Sequence, residues 1–173
     1  NDARARTKLL QIASQGDTPE MRIEAIRRLS EHGSIALDDL LKLYTSETNV
    51  QIKQGLLRVF GESADPRAHA KLIEIARSND APELRSYAIR QLGDKDDEET
   101  VGTLVSLYDS EQNPQMKMYL IRAFGDSKQK SAVHKLMTIA KNDPSVEMRK
   151  VAVRFLGESK DPEALKFLED LLK

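Results

Sequence analysis

The chain has 173 residues, with 27 Lys and Arg against 28 Asp and Glu, no Cys, no Trp and 5% aromatics. Near-zero net charge argues against capture of DNA or RNA by a basic surface, and the absence of Cys removes disulfides, thiolate zinc sites, iron–sulfur clusters and thiol catalysis. No apolar run approaches the roughly 18 residues of a membrane helix, and the length suits one domain.

The chain begins at Asn1, with neither an initiator Met nor a signal-type apolar segment, so the expectation is a processed or partial chain whose compartment stays open. Two segments then recur. LLQIA from Leu9 returns as LLKLY from Leu40, LIEIA from Leu72, LVSLY from Leu104 and LMTIA from Leu136. Between these copies stand EMRIEAIRRLS, QIKQGLLRVFG, ELRSYAIRQLG, QMKMYLIRAFG and EMRKVAVRFLG, closing at Ser30, Gly61, Gly93, Gly125 and Gly157. The spacing is 31 and then 32 residues throughout, and odd and even copies differ consistently (LxxIA against LxxLY, Leu against Phe before the close), which suggests duplication of a two-repeat block.

Both segments are helical by period: Leu84, Ala88, Ile89 and Leu92 share one face, and Leu72, Ile73, Ile75 and Ala76 give an apolar stripe. Asp65-Pro66 and Asp161-Pro162 read as a cap followed by Pro at the first helical position. The closing glycines are expected as left-handed helix caps, and Asp38-Asp39 and Asp96 to Glu99 as charge at helix starts. Each repeat is thus a short-turned pair of helices, A then B. A lone pair cannot bury both stripes, so the expected fold is all-α, an α-solenoid (α/α superhelix) of antiparallel pairs. It forms a single domain over 1–173, with repeats near 3–31, 34–62, 65–94, 97–126 and 128–158 and a half-repeat at 161–173.

The pattern D-x-x-P-x-(V/M/L)-R-x-x-A-(I/V)-x-x-L-G resembles the HEAT-repeat family, including its phycobilisome-lyase type, over essentially the whole chain. The resemblance implies that Asp17, Asp80 and Asp143 in the turns, with Arg22, Arg85 and Arg149 on the B helices, form a buried structural ladder between repeats. The even repeats depart from it, with Lys53 and Lys117 for Arg and Asn49 and Asn113 in the turn.

One column carries Arg in every copy: Arg27, Arg58, Arg90, Arg122 and Arg154, pointing away from the core. Four residues on stands an acid, Glu31, Glu62, Asp94, Asp126 or Glu158, so each Arg either pairs internally or reads carboxylates on a partner. Neighbouring columns hold Glu24, Gly55, Tyr87, Tyr119 and Val151, then Val59, Ala123 and Phe155. If the B helices line the concave side, as the resemblance implies, Arg58, Arg90, Arg122, Arg154, Tyr87, Tyr119 and Phe155 are the candidate partner-binding residues. Tyr44 and Tyr108 are expected at the core edge.

His32, His69 and His134 occupy unrelated columns and no catalytic, phosphate or metal motif is present, so neither cofactor nor metal is expected and the three read as surface histidines. The expected function is a non-enzymatic scaffold for a protein or peptide, monomeric, without nucleic acid or membrane. The alternatives are an architectural spacer in a longer repeat protein, or a HEAT-type enzyme of bilin-lyase or DNA-glycosylase kind.

Overall fold

A computed structural model describes residues 3–31 and 34–171; His32 and the last two residues of the half-repeat lie outside them. Among the described residues there are eleven helices and no strand. The helices are α1 (Ala3–Gln15), α2 (Pro19–Ser30), α3 (Ser34–Ser46), α4 (Val50–Glu62), α5 (Pro66–Arg77), α6 (Pro82–Gly93), α7 (Glu98–Ser110), α8 (Pro114–Asp126), α9 (Lys130–Asn142), α10 (Val146–Glu158) and α11 (Pro162–Asp170). Odd-numbered helices are the A segments and even-numbered ones the B segments, so the chain is an all-α helical-repeat protein of the solenoid class.

Helix starts follow the sequence closely. Thr18, Asn49, Asp65, Asp97, Asn113, Ser145 and Asp161 each accept a backbone N–H of the first turn through the side chain, satisfying donors that have no intrahelical partner. Asp38 and Asp39 differ from expectation: they lie inside α3, where Asp39 pairs with Arg6 and Asp38 accepts from Arg67 at 2.6 Å.

The helix ends also differ. No described glycine has a positive φ, and Gly61, Gly93, Gly125 and Gly157 lie within their helices rather than capping them. For the first three the reason is packing; a Cβ on Gly157 would meet nothing. A Cβ on Gly61 would run into the Gln91 side chain, one on Gly93 would stand 3.0 Å from the Ala123 Cβ, and one on Gly125 would overlap the Phe155 ring. In each case the obstacle is thirty residues on, in the next B helix; these glycines let consecutive B helices approach.

By contact density the chain divides into two compact units, 1–91 and 92–173, the division falling near the end of α6. In the first, α1 packs on α2, α2 on α4 and α4 on α5, around fully enclosed Ile26, Leu29, Leu40, Leu56, Leu57, Phe60, Leu72 and Ile89. In the second, α9 packs on α10, α8 on α9 and α10, and α11 on α10. Its core holds Leu104, Met116, Leu120, Ile121, Phe124, Leu136 and Leu156. Burying each large side chain contributes about 1.5–3 kcal/mol, which fixes the rotation of every B helix and so the direction of its arginine.

Candidate partner-binding face

The five arginines of the outward column have different surroundings, and the residue three positions earlier on the same helix face decides which. In the first unit, Glu24 precedes Arg27 and takes it: Arg27 Nη2 lies 2.6 Å from Glu24 and Nη1 3.2 Å from Glu31, while Arg28 also reaches Glu24 at 2.9 Å. The Arg27 hydrogen bond leads in holding the Glu24 carboxyl down at about 2, against desolvation that pushes it up, and Arg28 adds to the lowering. Gly55 offers Arg58 no side chain, so Arg58 Nε donates to Glu62 at 3.1 Å. Arg90 follows Tyr87 and lies over its ring, 4.4 Å from the centroid.

In the second unit Arg122 follows Tyr119 and lies 5.9 Å from its ring centroid. Val151, ahead of Arg154, is buried, and Arg154 turns to the Phe155 ring at 5.0 Å. Among the described residues Arg90, Arg122 and Arg154 are exposed and have no carboxylate partner. The acids four residues on are not bonded to them: Asp126 is a methylene shorter than Glu62, Asp94 lies beyond the end of α6, and Arg154 turns to the Phe155 ring instead of to Glu158. Tyr87, Tyr119 and Phe155 are half-buried, whereas Val59 is buried packing. The candidate residues therefore separate into one internally paired arginine, Arg58, and three stacked on rings.

The ladder takes a course the motif did not specify. Asp17 and Asp80 are exposed, and Arg22 forms its ion pair with Glu47, in the turn of the following repeat. Arg22 and Arg85 each cap the preceding A helix, donating from Nε to the Ala13 carbonyl at 2.7 Å and the Ala76 carbonyl at 3.2 Å, where a cation suits the helix dipole. Arg149 meets Asp143 only through its backbone carbonyl, at 2.7 Å. The buried Asp143 carboxylate instead accepts from Tyr108 Oη at 2.7 Å and from the Ser145 N–H at 2.9 Å, with Lys117 Nζ at 3.7 Å. Two of the B-helix cations reach one repeat forward to the acid of the next turn, Arg22 to Glu47 and Lys117 to Asp143. Burial pushes the Glu47 carboxyl up, but the backbone N–H groups of Asn49 and Thr48 and then Arg22 outweigh it and hold it below the ordinary range.

Tyr44 and Tyr108 are buried at the core edge as expected, each tilted against a Phe ring with centroids 6.1 Å apart. His134 is exposed and donates from Nε2 to the Glu163 carboxylate at 2.8 Å; His69 is half-buried. Among the described residues no group of His, Asp and Glu is arranged to hold a metal ion, and no helix is long and apolar enough to cross a membrane. Sequence reasoning missed the Tyr108–Asp143–Lys117 cluster, whose members are far apart in the chain.

Among solved structures, the chain resembles human deoxyhypusine hydroxylase in complex with glycerol, with a TM-score of 0.51 and 20% identity over 98% of this chain and 67% of that one. It also matches the complex of CpcE and CpcF of phycocyanin lyase from Nostoc sp. PCC7120, with a TM-score of 0.43 and 21% identity over 99% of this chain and 90% of that one. No curated protein matches the sequence. The family model for HEAT repeats matches residues 5–90 and 108–173, most of the chain, and the protein belongs to the HEAT-repeat family.

Proposed function

We propose that this helical-repeat scaffold is a non-enzymatic binder of a protein or peptide, which it engages through the outward faces of its B helices. It acts as a monomer, without nucleic acid. The observation that supports this reading is the placement of Arg90, Arg122 and Arg154 on aromatic rings, exposed and without an acid of their own. Stacking of this kind contributes only about 0.5–1 kcal/mol at an exposed site, so it adds little to the fold, yet it presents an oriented planar donor beside an apolar ring. Arg and Tyr in that combination are the residue types that dominate binding energy at interfaces. Arg58 joins the set through an exchangeable pair: an exposed Arg–Glu bridge contributes about 0–1 kcal/mol, and a partner carboxylate can replace Glu62.

Replacing Arg90, Arg122, Tyr87 and Tyr119 together with Ala should abolish retention of the partner by the intact chain, with helicity and Tm near wild type. Retention by that variant would overturn the reading, and loss of helicity would make the four residues structural. A spectral change on titration with a bilin, or retardation of DNA at low salt, would favour the enzymatic alternatives.

A further inference from the structure

Arg122 on α8 and Arg154 on α10 hold the same repeat position on two B helices that pack together within the second unit. Each guanidinium carbon lies over a ring, 5.9 and 5.0 Å from the centroid, within cation–π range. Lys150, one turn before Arg154 on α10, is exposed and without an ion pair, and adds a third cation. Between the two helices the Phe155 ring seats on the backbone of Gly125, which supplies an apolar floor. The same column on α2 and α4 of the first unit is neutralised by Glu24, Glu31 and Glu62, so the chain can pair these arginines internally and on α8 and α10 does not.

We infer that the α8–α10 face takes an extended acidic segment of a partner protein, with carboxylates three residues apart held by Arg122 and Arg154 and the intervening residues lying on Phe155 and Tyr119. This rests on the binding function proposed above and supplies the partner's chemistry. The spacing follows from the fold. Packed helices lie about 8–10 Å apart, so equivalent arginines are separated by about that distance. A polyproline II segment rises about 3.1 Å per residue with three residues per turn, which puts residues i and i+3 on one side about 9 Å apart. A β-strand would send those two side chains to opposite sides. Two charge-assisted Arg–carboxylate bonds then form without bending the peptide. Asp126 and Glu158, four residues beyond each arginine and unbonded to it, limit affinity by repulsion and select against a denser run of acids.

Fluorescence anisotropy with the full chain and labelled peptides tests this, the peptides carrying two Glu separated by one, two or three intervening residues in a Pro- and Ala-rich background. Glu-x-x-Glu should bind best, on the order of tenfold better than Gln-x-x-Gln, and should weaken as salt rises. R122E/R154E should lose that binding and gain Lys-x-x-Lys, while D126N/E158Q should tighten Glu-x-x-Glu; circular dichroism checks that each variant is folded. Indifference to spacing, equal binding of Glu and Gln peptides, unchanged binding by R122E/R154E, or tighter binding of a single-stranded oligonucleotide would overturn the inference. If Gln-x-x-Gln binds equally well and Tyr119→Ala abolishes it, the acidic partner is wrong while the binding function stands.

Discussion

Tyr44 and Tyr108 are the same residue in the same repeat position, and their hydroxyls are treated oppositely. Both rings are almost fully enclosed, at 4% and 3% exposed. Tyr108 Oη donates to Asp143, whereas Tyr44 Oη is buried with no hydrogen-bond partner. The residue 64 positions before Asp143 is Asn79, and because α5 ends at Arg77, one residue earlier than its counterpart α9, Asn79 stands exposed instead of turning in. Burial, with the charges of Asp80 and Glu74 adding to it, pushes the Tyr44 hydroxyl up to about 12 from its ordinary 10; burial and then Asp143 push Tyr108 in the same direction. A folded-state pKa raised above the unfolded one means that the stability from the neutral phenol is complete below pH 10 and lost as pH rises from 10 through 12. Tyr44→Phe removes an unpaired buried hydroxyl, so it should be neutral or stabilising by up to about 1 kcal/mol and should reduce the alkaline loss. Tyr108→Phe leaves Asp143 without its best donor and should cost about 1–2 kcal/mol. Urea midpoints at pH 7 and pH 11 read both, and equal costs for the two variants would contradict the difference in hydrogen bonding. The apolar character of both tyrosines was legible from LxxLY, but the contrast between them was not, since it depends on where one turn begins.

The repeat-closing glycines mark how far an element can be read from its own residues. Capping and close approach both ask for a missing Cβ near a helix end, so the local sequence does not choose between them. The choice is made by Gln91, Ala123 and Phe155, each thirty residues downstream on the next B helix. Helix starts, by contrast, are local transactions between a side chain and the N–H groups two or three residues on, and Asp65-Pro66 and Asp161-Pro162 are capped as read. Gly125→Ala should therefore cost about 1–3 kcal/mol by driving a methyl into the Phe155 ring, even though Ala has the higher helix propensity. Gly102, in the middle of α7 with nothing near the place of a Cβ, should behave oppositely: Gly102→Ala should gain about 0.5–1 kcal/mol. Thermal melts of the two variants compare them directly. A gain in both would mean that the glycines matter only for backbone entropy, and the spacing of α8 and α10 would need another cause.

At the scale of the whole molecule, near-zero charge conceals an uneven arrangement: arginines tied down on α2 and α4, arginines on rings from α6 onward. The repeat architecture was fully legible, because each repeat buries its stripes against neighbours and the 32-residue period records that directly. The candidate face was legible as a column but not in its state, since Glu24, Gly55 and Tyr87 had to be placed beside their arginines before pairing and stacking could be told apart. The partners in the ladder were hidden for a related reason: Arg22 pairs with Glu47 of the next repeat, an acid outside the Asp positions that the motif names. Energetics in such a chain should depend on position along the array. Ile89 is fully enclosed in α6, so an aspartate there has neither water nor a partner and must either stay neutral or open the helix packing. Leu9 in α1 is only half-buried, on a helix that packs chiefly on α2, so an aspartate there can turn toward solvent. Ile89→Asp should cost about 4 kcal/mol or more, enough to leave much of the chain unfolded at 25 °C, against about 1–2 kcal/mol for Leu9→Asp. Urea titrations followed by circular dichroism measure both; equal losses would mean that the chain melts as one indivisible block, without the additive nearest-neighbour stability that a stack of repeats implies.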